Sequence, residues 1–533
     1  MYTAAPPATA SPTTPALPAP GGFVELFRRI AAEDGARVFA RCDGRSLTFA
    51  ALDRESDRLA LAFRARGLAP GDRVALMLPN GADALALVFA IAKAGLVWVP
   101  LNVHLVGDGL RYILDHAAPL LIVAAPDLVA AIAACGAETV RPDAIIGRVV
   151  TPADLDDAAP ADVRFDEPPP APEADFAIGY TSGTTGAPKG VRVSHRMLRL
   201  AGEGVLLVAD ARDGDVMFMW EPLYHIGGAQ MIVAPLLRRL RLHMVPRFSA
   251  GRFWDEVITA GATHIHYLGG ILQILLKQPV APAERAHRVR VAWGGGCPAE
   301  IWPEVERRFG VVLRECYGMT EASSFTTCND RGVPGAVGRA MPWFDVALRD
   351  ADGRPVPSGA RGEIVVQARD PLALTQGYLD NPEATARALR GGALHTGDLG
   401  SFDNDGNLFF HGRMSDSARV RGENVAAWEV EQVAARHPAV ADCAMIAVAA
   451  EIGEQEIKLF VEPRAGARPS EAELSAWLAQ RLARHQQPRY IAIVPAFART
   501  PSQRIMKHLL STGRDDCWDR EAAAGTGGPG RRP

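Results

Sequence analysis

The apolar positions of the chain fall into short runs separated by longer amphipathic stretches. Between residues 71 and 125 the order is RVALMLP, GADALALVFAIAKAG, LVWVPLN, HLVGDGLRYILDHAA and LLIVAA. The short runs predict strands and the longer stretches predict helices. Strands that alternate with helices in this way predict βαβ units and a largely parallel sheet covered on both faces. The same alternation continues to about residue 340.

The pattern changes after that point. DVALRDADGRPVPSGARGEIVVQA shows β-alternation with DG and SG turns, and DNDGNLFFHG, residues 403–412, predicts a hairpin. A small α+β unit follows, with a helix over 428–437, the strands ADCAMIAVAA and IKLFVEPR, and a helix from Glu471 to about Arg484. We therefore expect an α/β fold in which a large N-terminal domain combines mixed, largely parallel sheets with a β-rich subdomain, followed by a small α+β C-terminal domain. The predicted boundaries are a disordered tail over 1–22, the large domain over 23–412, the small domain over 413–514 and a second disordered tail over 515–533.

Composition and charge narrow the class of protein. The net charge is −4 and no run of Lys or Arg stands out, so neither nucleic acid nor an anionic membrane is indicated as a partner. The apolar stretch Ala84–Leu101 is broken by Lys93 and predicts a buried helix and strand rather than a membrane span. Seven scattered cysteines without a CxxC pair predict reduced thiols in a cytoplasmic protein. Residues 1–22 lack the basic start and apolar core of a signal peptide.

The first chemical signal is the loop YTSGTTGAPKG, residues 180–190. Glycines let backbone N–H groups converge on an anion, and the hydroxyl and ammonium groups add donors, a combination that suits a polyphosphate. A flexible Gly/Ser/Thr turn is the alternative. The spacing differs from that of a P-loop, which requires GxxxxGK[ST]. The candidate phosphate-binding residues are Thr181, Ser182, Gly183, Thr184, Thr185, Gly186 and Lys189.

With the motifs that follow it, this loop makes residues 27–510 resemble the adenylate-forming superfamily of acyl-CoA synthetases, luciferases and peptide-synthetase adenylation domains. PLYHIGG, WGGGCP, ECYGMTE, HTGDL and the junction GRMSDSARVRGENVAAWEVE occur in the family's order. The RGENV segment and the TPSQRIMKHLL ending are most similar to the crotonobetaine/carnitine-CoA ligase-like branch. The resemblance implies that the small domain is mobile and that ATP, Mg²⁺ and CoA take part in the reaction.

Individual roles follow from the resemblance, position by position. It implies that His225 lies beside the acyl carboxylate, that Tyr317 stacks on adenine, and that Thr320 contacts phosphate while Glu321 holds Mg²⁺ and Thr181 serves in catalysis. It further assigns nucleotide contacts to Gly295, Gly296, Cys297, Gly318, Asp398 and Arg413. We expect acyl-pocket residues near these motifs, namely His225, Tyr267, Trp293 and Met319, with further aromatic surface from Trp220 and Tyr224.

The C-terminal segment departs from the family pattern. Where the family has a glycine–lysine pair whose lysine is the main catalytic cation, ARTPSQRIMKHLL places Gln503 and Arg504. Arginine keeps the charge and adds a planar fork that suits carboxylate and phosphate, although it is bulkier. Either Arg504 acts as the catalytic cation, or Lys507 does so from the next turn, or the adenylation step is weak.

Two further segments at the domain junction complete the assignment. Ser415 occupies the family's hinge position, often Asp or Lys, and its smaller side chain should still permit the backbone change. Gly422 and Glu423, within RGEN, resemble the loop that lines the pantetheine path to CoA.

These features predict an ATP-dependent carboxylate–CoA ligase that forms an acyl-adenylate, releases pyrophosphate and passes the acyl group to CoA. The alternatives are a stand-alone adenylation enzyme that loads a carrier protein and a weakly active or non-catalytic nucleotide-acyl binding protein. A monomer or homodimer is expected. The sequence leaves the carboxylic acid open.

Overall fold

The computed structural model describes residues 17–42, 44–140, 148–156, 164–181, 188–414, 417–420, 423–450, 455–499 and 505–525. Up to residue 210 the elements are α1 (Val24–Glu33), β1 (Val38–Cys42), β2 (Arg45–Thr48), α2 (Phe49–Ala65), β3 (Arg73–Met77), α3 (Ala82–Lys93), β4 (Val97–Pro100), α4 (Gly107–Ala117), β5 (Leu121–Ala124), α5 (Val129–Ala134), β6 (Arg148–Val150), α6 (Pro152–Asp156), β7 (Asp175–Thr181), β8 (Lys189–Ser194) and α7 (His195–Ala209).

The central part of the chain continues the large domain. Its elements are β9 (Val216–Met219), α8 (Ile226–Ala229), α9 (Ala234–Leu237), β10 (Arg241–Met244), α10 (Phe253–Ala260), β11 (His264–Leu268), α11 (Ile271–Lys277), β12 (Val291–Gly295), α12 (Trp302–Phe309), β13 (Val312–Tyr317), β14 (Thr327–Asn329), β15 (Ala336–Ala340) and β16 (Phe344–Arg349). The last part comprises β17 (Gly362–Ala368), α13 (Pro382–Ala388), β18 (Leu389–Arg390), β19 (Ala393–Phe402), β20 (Leu408–Arg413), β21 (Ser417–Val420), β22 (Glu423–Ala426), α14 (Ala427–Ala435), β23 (Val440–Ala449), β24 (Gln455–Pro463), α15 (Glu471–Ala479), β25 (Tyr490–Ile493), β26 (Trp518–Asp519) and α16 (Arg520–Gly525).

Two large sheets form the N-terminal domain. One has the strand order β6-β5-β3-β4-β7-β8 and is parallel except for the last pair. The other has a continuous path from β16 through β17, β19, β20, β15, β14, β13, β12, β11, β9, β10 and β1 to β2, with β18 paired to β19. Its segment from β1 to β13 is parallel and its segment from β13 to β16 is antiparallel. The predicted fold class is confirmed.

The parallel segment of the larger sheet positions the site. The chain leaves β9, β12 and β13 at their carboxyl ends, and because parallel strands end at one edge, the loops that follow are neighbours. These loops carry PLYHIGG, the glycine-rich turn and ECYGMTE. PLYHIGG begins at Pro222 and WGGGCP begins at Trp293, yet the fold brings these two motifs to one edge of one sheet.

The apolar stretch near residue 90 has the structure predicted for it. α3 is buried on all sides and is followed by β4, as expected for an interior helix and strand. Its one basic residue, Lys93, is fully buried, and its ammonium lies 2.7 Å from Asp53 and 2.6 Å from Asp57 on α2. A charge in the interior requires such partners. Among the described residues, no helix combines the length and apolar character needed to cross a membrane.

The prediction of disordered tails is wrong for residues 17–22 and 515–525, which the structure describes. Arg196 donates to the carbonyls of Pro18, Ala19 and Gly21, so part of the 1–22 segment is bound to α7. At the other end, β26 pairs with β25 and α16 follows it, within the predicted 515–533 tail. Composition indicated disorder in both segments. The buried Arg196 side chain and the open edge of β25 nevertheless provide hydrogen-bonding partners for them, and these partners cannot be read from the local sequence. Residues 1–16 and 526–533 lie outside the described part.

Candidate active site

Three strands bring Tyr317, Asp398 and Arg413 together. The Tyr317 hydroxyl donates to Asp398 Oδ2 at 2.6 Å, and Arg413 Nε lies 3.2 Å from Asp398 Oδ1. Asp398 and Arg413 are register partners across β19 and β20, which fixes this pairing through the backbone. The Tyr317 ring stacks on Phe410 with centroids 5.6 Å apart. Burial, followed by the charge of Asp398, raises the pKa of Tyr317 well above its usual value, so the phenol stays a donor.

The glycine-rich turn after β12 is shaped by a buried carboxylate. Glu315 accepts hydrogen bonds from the backbone N–H of Gly296 and from that of Cys297 at 3.2 Å. A side chain at Gly294 would place its Cβ 1.8 Å from the Tyr267 carbonyl oxygen, so only glycine fits there. Burial raises the pKa of Glu315 to about 7. Its role was missed by sequence reasoning, although it is the first residue of the ECYGMTE motif.

Tyr267 contacts the carboxylate that shapes this turn. Its hydroxyl donates to Glu315 Oε2 at 2.6 Å, and the residue is fully buried in the apolar cluster formed with α10 to α12. Adjacent residues of a strand face opposite sides of the sheet, so Tyr267 and His266 lie on different faces of β11. The structure thus gives Tyr267, expected in the acyl pocket, a contact with the carboxylate that shapes the glycine-rich turn.

Glu321, the candidate magnesium ligand, lies in a one-turn helix at Thr320–Ala322. Its side chain is 6% exposed, Oε1 accepts from the Tyr378 hydroxyl at 2.9 Å, and its carbonyl accepts from Thr375. Met319 precedes it, partly buried against the main core, and Thr320 packs near Gly179.

The chain makes a sharp reversal directly after this turn. Ser323 and Ser324 both take left-handed backbone angles, with φ of 50° and 68°. A Cβ on Gly318 would lie 1.7 Å from the Ser324 carbonyl, so the reversal requires a glycine there.

No cluster of three or more His, Cys, Asp or Glu side chains suited to a metal occurs in the described ranges. One protein carboxylate nevertheless fits Mg²⁺, which is usually held by one or two carboxylates together with substrate phosphates.

Both ends of the candidate phosphate loop are fixed in the structure. Thr181 ends β7 and is the register partner of Lys189, which begins β8. The Lys189 ammonium lies 5.3 Å from the centre of the Tyr378 ring. Since Tyr378 also donates to Glu321, one tyrosine connects the loop's cation with the candidate magnesium ligand. Ser182, Gly183, Thr184, Thr185 and Gly186 lie outside the described residues. Tyr378 was not identified from sequence.

His225 precedes the short helix α8 in the PLYHIGG segment. Its ring lies 4.9 Å from that of Tyr224, centre to centre, and burial raises the pKa of Tyr224 to about 12. A Cβ on Gly228 would lie 2.1 Å from the carbonyl oxygen of Pro222, which explains the second glycine of the motif. Asn80, outside every motif, holds the segment by donating to the carbonyl of Glu221 and accepting from the N–H of Leu223.

Trp293, also expected in the acyl pocket, is fully buried in the middle of β12. Its ring centre lies 4.2 Å from that of His266. His266 in turn contacts Glu221, with Nδ1 and Oε2 2.8 Å apart. This buried polar pair was also missed by sequence reasoning, because neither residue belongs to a recognisable motif spacing.

In the small domain, Lys507 forms an ion pair with a glutamate. Its ammonium lies 2.8 Å from Glu431 Oε1 on α14, and the same oxygen accepts from the Met445 N–H at 2.6 Å. Glu423 begins β22 opposite Val420. Arg504, Ser415 and Gly422 lie outside the described residues.

Among the described residues after β20, two make ion pairs with the large domain. Arg436, the residue that follows α14, contacts Glu300 at 2.5 Å, and Glu429 on α14 contacts Arg361. Both pairs therefore involve α14 or the residue directly after it.

Comparison with known proteins agrees with this arrangement. Residues 27–379 match the model of the AMP-binding enzyme family, and residues 429–504 match its C-terminal domain. The chain is 34% identical over 478 residues to the sulfoacetate–CoA ligase of Cupriavidus necator, covering 88% of this chain and 92% of the relative. It is 30% identical over 495 residues to the crotonobetaine/carnitine–CoA ligase of Salmonella agona, covering 89% of this chain and 95% of that protein.

A solved structure shows the same fold at similar coverage. ATP-bound MatB from Rhodopseudomonas palustris superimposes with a TM-score of 0.81 at 28% identity, over 91% of this chain and 98% of that chain. With a family model covering well over half the chain and relatives matched along most of their length, this protein belongs to the AMP-binding enzyme family of adenylate-forming enzymes.

Proposed function

We propose that this protein is an ATP-dependent carboxylate–CoA ligase that forms an acyl-adenylate and then a thioester. The observation that carries the proposal is the link from Lys189 through Tyr378 to Glu321. Glu321 belongs to the same ECYGMTE motif as Tyr317, whose hydroxyl binds Asp398 beside Arg413. A cation, a divalent-metal ligand, an aromatic face and a buried carboxylate are the groups that a nucleoside triphosphate requires. Both curated relatives named above are CoA ligases.

In the first half-reaction, a substrate carboxylate oxygen attacks the α-phosphorus of ATP, and pyrophosphate leaves. The chain must hold two anions in line and neutralise charge, which needs positioning and electrostatic stabilisation rather than a protein nucleophile. Asp398 accepts from the ribose, Tyr317 stacks on the base, and Lys189 contacts the phosphates. Mg²⁺ held by Glu321 would reduce the repulsion between phosphate oxygens. His225 positions the acyl carboxylate.

In the second half-reaction, the thiolate of CoA attacks the acyl carbonyl carbon of the acyl-adenylate. The thioester forms and AMP is the leaving group. Gly422 and Glu423 line the path of the pantetheine arm, and rotation of the small domain about Ser415 exchanges the two arrangements. These three roles follow from the resemblance to the family and form part of the proposal.

Arg504 is the proposed catalytic cation of the adenylation step. The contact between Lys507 and Glu431 supports this assignment, because an ammonium engaged on α14 already has an anionic partner within its own domain. A guanidinium can bridge a carboxylate and a phosphate with two parallel hydrogen bonds.

The test combines purified protein, Mg·ATP and a panel of carboxylic acids, with pyrophosphate and AMP measured separately. We expect pyrophosphate release with a subset of acids and AMP release that requires CoA. Asp398→Asn should abolish both signals in a folded protein. Pyrophosphate release without CoA-dependent thioester formation would identify a carrier-loading enzyme, and absence of pyrophosphate with every acid would leave a nucleotide-binding protein.

A further inference from the structure

Glu221 and His266 form a buried polar pair that the nucleotide contacts do not use. Glu221 is 2% exposed and His266 is 5% exposed. His266 Nδ1 lies 2.8 Å from Glu221 Oε2, yet neither atom makes an aligned hydrogen bond within the described part of the chain. His266 is held in place by its backbone, since its carbonyl accepts from Trp220 Nε1 at 2.8 Å. The pair is therefore fixed but incompletely satisfied.

Three neighbours locate this pair at the expected acyl site. The Glu221 carboxylate oxygens lie 2.5 and 2.8 Å from the position of a Cβ on Gly227, two residues after His225. The His266 ring contacts Trp293 in the middle of β12. On β13, burial and then the charges of Glu315, Cys328 and Glu221 raise the pKa of the Cys316 thiol well above its usual value. The carboxylate thus lies between the His225 turn and the strand that leads to the adenine-binding tyrosine.

The charge of this pair restricts what can bind beside it. A buried carboxylate carries a large desolvation penalty unless it has an ionic or hydrogen-bonding partner. Among the described residues its one ion-pair contact is with His266, and no lysine or arginine contacts it. A ligand group that is itself cationic would supply the missing donors, whereas a second anion would be repelled. The aromatic faces of Trp220 and Trp293 flank the same ring and also favour a cation.

We propose that Glu221, supported by His266, determines substrate choice by binding a cationic ammonium group at the far end of a short carboxylic acid. The inference rests on the proposed ligase function, which supplies the other end of the substrate at His225. It separates this protein from the relative named for sulfoacetate, whose substrate carries a second anion. The substrate class is an ω-ammonium carboxylic acid, with the acid at the adenylation site and the cation on Glu221.

The test compares acids that are matched in length and differ only in terminal charge. One set is 3-aminopropanoate, 4-aminobutanoate and 5-aminopentanoate, the second is butanoate, pentanoate and hexanoate, and the third is succinate, glutarate and adipate. With the native protein and Mg·ATP, pyrophosphate release gives kcat/KM for each acid. We expect the best ammonium acid to exceed its neutral counterpart by about tenfold to a hundredfold, the effect of one charged hydrogen bond. The dianionic acids should be the poorest.

The isosteric variant Glu221→Gln isolates the charge. It should lower kcat/KM for the ammonium acid by about tenfold to a hundredfold, a larger loss than for the neutral acid, and so remove most of the preference. Glu284→Gln is the control, because Glu284 is equally buried but pairs with Arg308 elsewhere in the domain. This control should leave the preference unchanged, and cooperative unfolding should show that both variants are folded.

The outcomes separate the inference from the function on which it rests. Pyrophosphate release that is highest with neutral or dianionic acids would overturn the inference and leave the ligase function standing. An equal loss for all acids in Glu221→Gln would show that the carboxylate only stabilises the fold. Absence of pyrophosphate with any acid would overturn the ligase proposal itself.

Discussion

The ammonium of Lys507 and the carboxylate of Glu431 form an ion pair of 2.8 Å inside the small domain. Glu431 simultaneously accepts from the backbone of Met445, which joins α14 to β23. The segment that follows Arg504 in sequence is thereby attached to the domain's own helix. Lys507 has the position of a structural anchor for the segment, which leaves Arg504 to supply the proposed catalytic charge.

Separate substitutions at the two cations should therefore have different effects. Arg504→Ala should lower kcat for pyrophosphate release by about a hundredfold to a thousandfold, as for loss of one group that stabilises transition-state charge. Lys507→Met should keep kcat within about threefold and lower the free energy of unfolding by about 1 kcal/mol, because the pair is partly exposed. Single-turnover adenylation and chemical denaturation measure the two quantities. A larger kinetic loss in Lys507→Met than in Arg504→Ala would reverse the assignment.

Tyr317 combines a ring stacked on Phe410 with a hydroxyl bound to Asp398, and substitution separates the two. Tyr317→Phe keeps the ring and should raise KM for ATP by less than about fivefold, since Arg413 still contacts the carboxylate. Tyr317→Ala should raise it by about tenfold or more, because stacking on a base contributes about 1–3 kcal/mol. Similar KM values for the two variants would show that the ring does not carry adenine binding.

Gly228 should be intolerant of even one methyl group. Its Cβ would lie 2.1 Å from the Pro222 carbonyl, so Gly228→Ala must shift the turn that carries His225. We expect kcat/KM for the acid to fall by about tenfold or more while the affinity for ATP is unchanged. Gly251→Ala is the matched control, because nothing lies within 4 Å of its Cβ position. Equal kinetics in the two variants would contradict the assigned role of the turn.

Glu315 should make the folded protein sensitive to pH near neutrality. Its pKa is raised from 4.5 to about 7 by burial, so the folded state holds this proton more tightly than the unfolded state. Its contribution to stability is therefore greatest below about pH 4.5 and is lost as the pH rises through 7, by about 3 kcal/mol. The difference in unfolding free energy between wild type and Glu315→Gln should change by this amount between pH 4.5 and 8. A constant difference would show that the carboxylate is ionised throughout.

His195 should have the opposite effect at lower pH. It is buried beside Phe23 and Phe176, and burial lowers its pKa from 6.5 to about 4. The unfolded state binds a proton between these values and the folded state does not, so stability falls as the pH drops below 6.5. At pH 5 the loss is about 2 kcal/mol relative to pH 8. His195→Phe should remove that share of the loss, as measured by denaturation at both pH values. His264, with a similarly lowered pKa, retains its own dependence in the variant.

The sequence by itself determined the fold class, the family and the order of the motifs. Buried parallel strands and interior helices such as α3 leave an apolar pattern that is local, and glycine positions such as Gly318 and Gly228 are required by backbone atoms only six residues away along the chain. Signals of this kind survive in a linear string because neighbouring residues carry them. The departure at Arg504 was visible for the same reason.

Only the tertiary structure decided which side chains meet. Glu315, Tyr378, Asn80, Glu221 and His266 lie outside the assigned motif roles, and the partners described above are 18 to 143 residues away along the chain. Tyr267 and His266 lie on opposite faces of β11, so Tyr267 contacts Glu315 at the glycine-rich turn and His266 contacts Glu221. Alternation along the strand does not show which face each residue takes. Likewise, residues 17–22 and 515–525 are ordered because Arg196 and the edge of β25 provide partners. Contacts between distant segments depend on how the chain folds back on itself, and a local pattern contains no record of them.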